Sequence, residues 1–281
     1  METLFNTIAQ RHNLSLLDFK PLQGGDINSV YYWKCLSGNF VIKLNSATRF
    51  PEMFNKEAQG LQLLASSGSF KVPKVITFNT IEEYSYIILQ YIIPGTKGSL
   101  FWEQFGQSLA QLHQITQDTF GLTHDNYIGS LPQYNNSEKL ASEFYINQRL
   151  QPQFEMAGQR GYIFKELDVF LTTITSEIPN ESPSLIHGDL WNGNYLVSEE
   201  GFPALIDPAV CYGPREMDIA MMRLFGGFPS EVFSIYNEVF PLTKNWETRT
   251  SLWQLYYLLV HLNLFGAGYL PQVKQIVKQY T

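Results

Sequence analysis

The stretch Leu185–Val197, LIHGDLWNGNYLV, crowds His187, Asp189, Trp191 and Asn194 between two apolar runs. Polar residues at that density do not build a core. In the spacing H-x-D-x-x-x-x-N, Asp189 can orient an attacking hydroxyl and accept its proton, and Asn194 can ligate a metal ion. Asp207, in ALIDPAV, ends a short apolar strand. A hairpin with its turn at Glu200–Gly201 returns it to the same loop as a second metal ligand. Upstream, Lys43 closes the strand-like FVIKLN and Glu57 lies in the helical pattern that follows. An ion pair between them would aim the ammonium at nucleotide phosphates. Gly24 and Gly25 form a turn where backbone can approach phosphate oxygens closely. Phosphoryl transfer to a hydroxyl asks for this set: aligned phosphates, an oriented hydroxyl, and a metal bound through oxygen. The chemistry implied is that of a kinase using ATP and Mg2+.

These residues need elements to hold them. Strand-like runs at 16–23, 28–36 and 39–45, divided by Gly24-Gly25-Asp26 and Ser37-Gly38-Asn39, predict an antiparallel meander. Apolar residues at 54, 58, 61 and 64–65 predict the helix that carries Glu57. Strands are expected at 72–78 and 84–91. From residue 98 the pattern turns helical, with helices expected at 99–116, 138–150, 160–176, 215–224, 230–240, 246–264 and 268–279. The order gives an α+β chain. A small sheet lobe with one key helix (1–91) precedes a larger, mainly helical lobe (92–281), with the junction near Gln90–Gly95.

Composition bounds the function. The chain has 281 residues, 44% hydrophobic and 16% charged, which suits a globular protein. The net charge of −7 argues against a general nucleic-acid binder. Residues 1–91 carry 8 basic and 7 acidic residues, and residues 92–281 carry 11 and 19. Cys35 and Cys211 make no disulfide framework, which fits a reducing compartment. The N-terminal stretch lacks the apolar segment of a signal peptide. The run Leu252–Phe265 is shorter than the roughly 20 residues of a membrane span and is interrupted by Gln254, His261 and Asn263. It reads as a buried helix, so a cytoplasmic protein with no membrane partner is expected. The oligomeric state stays open, and a monomer is compatible.

HGDLWNGN followed by IDPAVCYGPREMDIAMMRLFGGFP resembles the fructosamine kinase (ketosamine kinase) family, relatives of aminoglycoside phosphotransferases within the protein-kinase-like fold. FGLTHDNYIGSLPQYN, RLQPQFEMA and VPKV are also similar to that family, so the resemblance spans nearly the whole chain. It implies a two-lobed fold with Asp189 as base, Asn194 and Asp207 as metal ligands, and Lys43 paired with Glu57 on the phosphates. It also implies a hinge at Gln90, Tyr91 and Ile92 whose backbone meets adenine. Asp218 would be structural, accepting N–H bonds under the catalytic loop. The implied reaction moves the γ-phosphoryl of ATP to the C3 hydroxyl of a ketosamine, free or on a glycated protein lysine, in deglycation repair.

Departures from the family fall at Asp26, where some relatives carry Cys, and at Pro214, where many carry His. A redox switch at Asp26 is therefore not expected, and substrate preference is open. The Trp191 indole suits the C–H face of a sugar, with core packing as the alternative. Tyr212, Arg215 and Glu216 are expected to face the acceptor, with a structural ion pair as the alternative for the last two. His261 is expected to be a core histidine. His113 and His124 are expected at a helix end and in a loop, His187 as a loop support, and Cys211 not to be a nucleophile. Rival readings are a kinase for an aminoglycoside, choline or related alcohol, and a pseudokinase or binding module.

Overall fold

The computed structural model describes residues 1–22 and 27–281. The expected phosphate turn at Gly24–Gly25, and Asp26, lie outside the described residues.

The N-terminal part contains α1 (Glu2–Arg11), β1 (Leu16–Pro21), β2 (Ser29–Cys35), β3 (Gly38–Ser46), α2 (Met53–Ser66), β4 (Val75–Ile81) and β5 (Tyr84–Gln90). The strands form one antiparallel sheet in the order β1-β2-β3-β5-β4. The first three are the expected meander. Strand β5 then inserts beside β3, with Lys43 opposite Ile87. Side chains alternate across the sheet. Ile42, Leu44, Tyr86 and Ile88 pack with Phe5 and Ile8 of α1. Val41, Ile87 and Leu89 pack with Phe54, Ala58 and Leu61 of α2.

The chain then forms α3 (Phe101–His113) and a hairpin of β6 (Asn126–Ile128) and β7 (Leu131–Gln133). A helical run follows, made of α4 (Ala141–Glu143), a π-helix (Phe144–Leu150) and α5 (Gln151–Gln159). It extends past the expected stop at 150, because Pro152 sits in the first turn of α5 and its missing N–H is not needed there. The helix expected at 160–176 begins later, as α6 (Leu167–Glu177). Four short strands come next: β8 (Ser184–Ile186), β9 (Tyr195–Val197), β10 (Pro203–Leu205) and β11 (Cys211–Gly213). Strand β9 pairs with β10, and β8 with β11. The remainder is α7 (Glu216–Leu224), α8 (Ser230–Val239), α9 (Trp246–Phe265) and α10 (Leu270–Gln279). Helix α9 is buried on most sides, through Leu252, Trp253, Leu255, Tyr256, Leu259 and Leu262. Among the described residues no helix is long and apolar enough to cross a membrane.

Backbone bonds stitch the two parts together. Lys71, before β4, bonds to Pro203 O and accepts from Leu205 N, and Gly95 N donates to Val197 O at 2.9 Å. A side-chain tie lies elsewhere, where the Tyr127 hydroxyl donates to Pro51 O at 2.8 Å.

Candidate active site

Strand alternation decides where Lys43 points. Because Ile42 and Leu44 face α1, Lys43 faces α2 with Val41. Its ammonium donates to Glu57 Oε1 at 2.6 Å and to Asp207 Oδ1. Burial opposes the Lys43 charge, but the Asp207 and Glu57 carboxylates outweigh it and hold the ammonium above its usual value. Burial pushes the Glu57 carboxyl up, against the pull of Lys43. The Asp207 side chain remains 45% exposed, so its carboxylate keeps an open side. Its φ of 54° is left-handed, which costs on the order of 1–2 kcal/mol for a residue with a side chain. Neighbours fix it there, since Ile206 N donates to Asn194 O at 3.0 Å and Ala209 N to His187 O at 2.9 Å.

Asp189 lies on the loop after β8. Asn194 Nδ2 donates to Asp189 O at 2.8 Å and to Oδ2 at 3.1 Å, which closes the loop on itself. Desolvation pushes the Asp189 carboxyl up to about 7, the Asp207 and Asp218 charges add to it, and the Asn194 bond opposes it. A carboxylate so poised accepts a proton efficiently near neutral pH.

A buried acid supports this loop. Asp218, fully buried on α7, accepts from His187 N at 2.7 Å and Gly188 N at 2.9 Å. Its Oδ2 also meets His113 Nε2 at 3.2 Å, while His113 Nδ1 meets the Tyr236 hydroxyl at 2.9 Å. Burial holds His113 below its usual pKa despite Asp218, so the ring is neutral, with Nε2–H donating to Asp218. Gly188 has φ +81°, and a Cβ there would stand 2.1 Å from Ala209 O. No side chain fits at the centre of HGD. Gly193 leaves room for the Trp191 indole, whose ring atoms would otherwise lie 2.3–2.7 Å from a Cβ.

Lys43, Glu57, Asp189, Trp191, Gly193, Asn194 and Asp207 line one cleft of about 1050 Å³ between the two parts. One half is apolar, with Val30, Val41, Leu89, Ile92, Leu196 and Ile206. The other half is aromatic, with Tyr127, Trp191, Phe225, Tyr257, His261 and Phe265. His261 lies 4.9 Å from Phe225, 5.5 Å from Phe265 and 5.1 Å from Tyr269, ring centre to ring centre. Its Nδ1 is 2.7 Å from Tyr257 O, so Nδ1 carries the proton and Nε2 is an acceptor. Burial lowers its pKa, and the bond to Tyr257 O opposes that. Beyond Lys43, Glu57, Asp189 and Asp207, Lys56 is the one charged residue lining the cleft among the described residues.

The sequence profile of the family described as fructosamine kinase matches residues 3–281. The chain belongs to the fructosamine kinase family. A relative from Enterococcus faecium, named a probable ketoamine kinase, is 38% identical over 271 residues, covering 92% of this chain and 94% of its own. A Haemophilus somnus crystal structure bearing the fructosamine-3-kinase designation superposes with a TM-score of 0.89 at 26% identity, covering 99% and 96% of the two chains. Spectinomycin phosphotransferase, solved with ADP and spectinomycin, shares the fold with a TM-score of 0.58 at 16% identity, covering 99% of this chain and 93% of its own. The fold is the two-lobed protein-kinase-like α+β fold. Membership places the chain among phosphotransferases with hydroxyl acceptors.

Within this fructosamine kinase family member, some expected site residues gather and others do not. Lys43, Glu57, Asp189, Trp191, Asn194 and Asp207 share the cleft. Gln90, Tyr91 and Ile92 line it too, but the Gln90 and Tyr91 N–H groups already donate to Lys74 O and Asn39 O. Among the described residues no acceptor meets the Ile92 N–H.

Tyr212, Arg215 and Glu216 do not face the acceptor. Tyr212 lies in β11 opposite Leu185 of β8 and packs against the buried cluster of Leu185, Leu205 and Val210. Arg215 is buried in a two-pronged pair with Glu181, at 3.0 and 2.6 Å. Glu216 is buried against Arg249 at 3.1 and 2.6 Å, and accepts from Trp253 Nε1 at 2.7 Å. Both made the ion pairs that were the alternative, because an unpaired charge inside the helical core would be far costlier. His261 corrects the expectation in the opposite direction, since it is half-buried and opens onto the cleft. His113 lies at a helix end as expected, but its bond to Asp218 had no local signal in the sequence.

Proposed function

We propose that this chain transfers the γ-phosphoryl group of ATP to a sugar hydroxyl, at C3, of a ketosamine. The observation that carries the reading is the convergence of Lys43, Glu57, Asp189, Asn194 and Asp207 beside an aromatic acceptor wall in one cleft. Lys43, braced by Glu57, binds the α- and β-phosphates. The apolar half takes the adenine, with the Ile92 N–H as the available hinge donor. Asp189 orients the acceptor hydroxyl and takes its proton. Little covalent work falls to the protein beyond this positioning.

The donors suit Mg2+. Among the described residues no group of three or more His, Cys, Asp or Glu side chains could hold a metal, whereas Mg2+ is commonly held by one or two protein oxygens with phosphates and water. Asp207 and Asn194 Oδ1 would supply those oxygens. The ion would neutralise charge on the phosphates.

The acceptor wall favours a ketosamine over an aminoglycoside. A polycationic acceptor calls for carboxylates, and beyond the catalytic set the lining here is aromatic, neutral or, at Lys56, cationic. Trp191 offers its face to the sugar. The exposed mouth, with Trp191, Phe225 and Phe265 at 38%, 41% and 54%, leaves room for the amine substituent, free or on a protein lysine. The phosphate at C3 would ease elimination and release the amine, which is a deglycation role. Buried free Cys35 and Cys211 agree with a cytoplasmic setting.

The test is ADP release with ATP and a panel of fructosamine, ribulosamine and erythrulosamine adducts, choline and an aminoglycoside. The new phosphate is located by NMR. Ketosamines alone should turn over, and Asp189→Asn should lower kcat by about 10²–10⁴-fold. Turnover of choline or the aminoglycoside without ketosamine turnover would move the chain to the rival small-molecule kinases. Equal ADP release by wild type and variant would leave a pseudokinase or binding module.

A further inference from the structure

A buried polar network in the C-terminal part takes no role in the reaction described above. Arg149, in the π-helix, is fully buried, and among the described residues no carboxylate pairs with it. Its guanidinium donates instead to Tyr134 O and, at 2.8 Å, to Asn135 Oδ1. Asn135 Nδ2 donates to Asn126 Oδ1 at 3.0 Å, and Asn126 Nδ2 donates to Val210 O at 2.9 Å. A second branch starts on α9, where the Tyr256 hydroxyl donates to Gln133 Oε1 at 2.8 Å. Gln133 Nε2 then donates to Asn126 Oδ1 at 2.8 Å and to Ala209 O at 3.0 Å. Asn126, Gln133, Asn135 and Tyr256 are all buried. Taking a guanidinium out of water without a carboxylate is costly, and well-packed apolar side chains would serve stability as well. A chain of bonds that all run one way polarises link by link, which stiffens whatever it ends on.

Both branches end on carbonyls just after Asp207. The left-handed φ of Asp207, 54°, makes the direction of its carboxylate depend on how the chain is clamped on either side. Upstream, Ile206 N is held on Asn194 O. Downstream, Ala209 N donates to His187 O, and Ala209 O abuts Gly188, where a Cβ would stand only 2.1 Å away. Gln133 holds that same Ala209 O, and Asn126 holds the next carbonyl. The β6–β7 hairpin thus sets the spacing between the Asp207 segment and the loop of Asp189.

We propose that Gln133 and Asn126, aligned by Arg149 through Asn135, are positioning residues that fix the Asp207 carboxylate for the metal ion carried by the nucleotide. This rests on the reading of Asp207 as a metal ligand and deepens it.

The test is ADP binding, by calorimetry, with and without Mg2+. Wild type should bind ADP more tightly with Mg2+, and Asp207→Asn should abolish that gain. Gln133→Met keeps the length of the side chain and removes its donors. It should cut the gain by at least about fivefold, the lower end of ordinary coupling between two ligands, while metal-free ADP binds within about twofold of wild type. Asn263→Ala is the control. It removes buried bonds to Gln153 O and Oε1, both 2.9 Å, in the same core, at a residue that does not line the cleft. It should lower Tm as Gln133→Met does and keep the full gain. Arg149→Lys keeps the charge and drops the prong on Asn135, so it should fold even where Gln133→Met does not, and lose about twofold of the gain. A full gain in Gln133→Met or Arg149→Lys would overturn the proposal, and so would an equal loss in Asn263→Ala. If Mg2+ gave wild type no advantage over Asp207→Asn, the metal-ligand reading would itself fail, and the positioning role with it.

Discussion

Asp218→Asn tests the support beneath the catalytic loop. The carboxylate accepts from two backbone N–H groups, at 2.7 and 2.9 Å, and from His113 at 3.2 Å, with no exposure to solvent. An Asn of the same shape keeps one oxygen and replaces the other with an NH2. One N–H of His187 or Gly188 then faces a donor. The loss is one bond to a charged group, about 2 kcal/mol, plus the penalty of a buried unpaired donor, about 1–2 kcal/mol. The total of about 3–4 kcal/mol is a large share of the stability of a typical domain. It should lower Tm by roughly 6–15 °C, read by circular dichroism alongside urea melts. Because the same bonds set the position of Asp189, kcat should fall by about 10²-fold even below the transition, as a displacement near 1 Å does. A variant within 1 kcal/mol of wild type and with unchanged kcat would refute the assignment of Asp218 as the anchor of this loop.

Other outcomes follow from the same geometry. Trp191→Ala should raise KM for the ketosamine by at least tenfold while KM for ATP stays within twofold, by steady-state kinetics, since about 1.4 kcal/mol of sugar stacking corresponds to that factor. Buried His113 is held below its usual pKa, so the unfolded chain takes up its proton first as pH falls. Its contribution to stability is therefore present above about pH 6.5 and lost below it. Urea melts at several pH values should show the stability gap between wild type and His113→Gln shrinking from pH ~7.5 to ~5.5.

The chemistry was legible because it is local. Asp189 and Asn194 sit five residues apart, and Asp207 returns on a hairpin, so spacing alone groups them. Lys43 could be read from strand periodicity, because alternation with Ile42 and Leu44 leaves it on the α2 face. The sheet order could not be read this way, since β5 inserts beside β3 by long-range pairing. The acceptor wall was hidden for a different reason. Helix α9 is apolar on nearly every side, so no periodic face distinguishes Tyr257 and His261 from the core. Arg215 and Glu216 misled because their partners, Glu181 and Arg249, are 34 and 33 positions away. The helical run also passed its expected end at residue 150, because Pro152 starts a turn there rather than stopping one.

The ties between the lobes differ in kind. Along Lys71 and Gly95 the tie is main chain to main chain. At Tyr127 it is a single phenol on Pro51 O. Parting the two walls of the cleft would mean giving up the Tyr127–Pro51 bond together with the Lys43–Asp207 ion pair, with the stitched seam as the pivot. Leu64 and Phe70 share one buried cluster with Phe101, Phe105 and Leu205, so the seam side of the hinge is tied by side chains as well as by main chain and stays closed while the mouth gives.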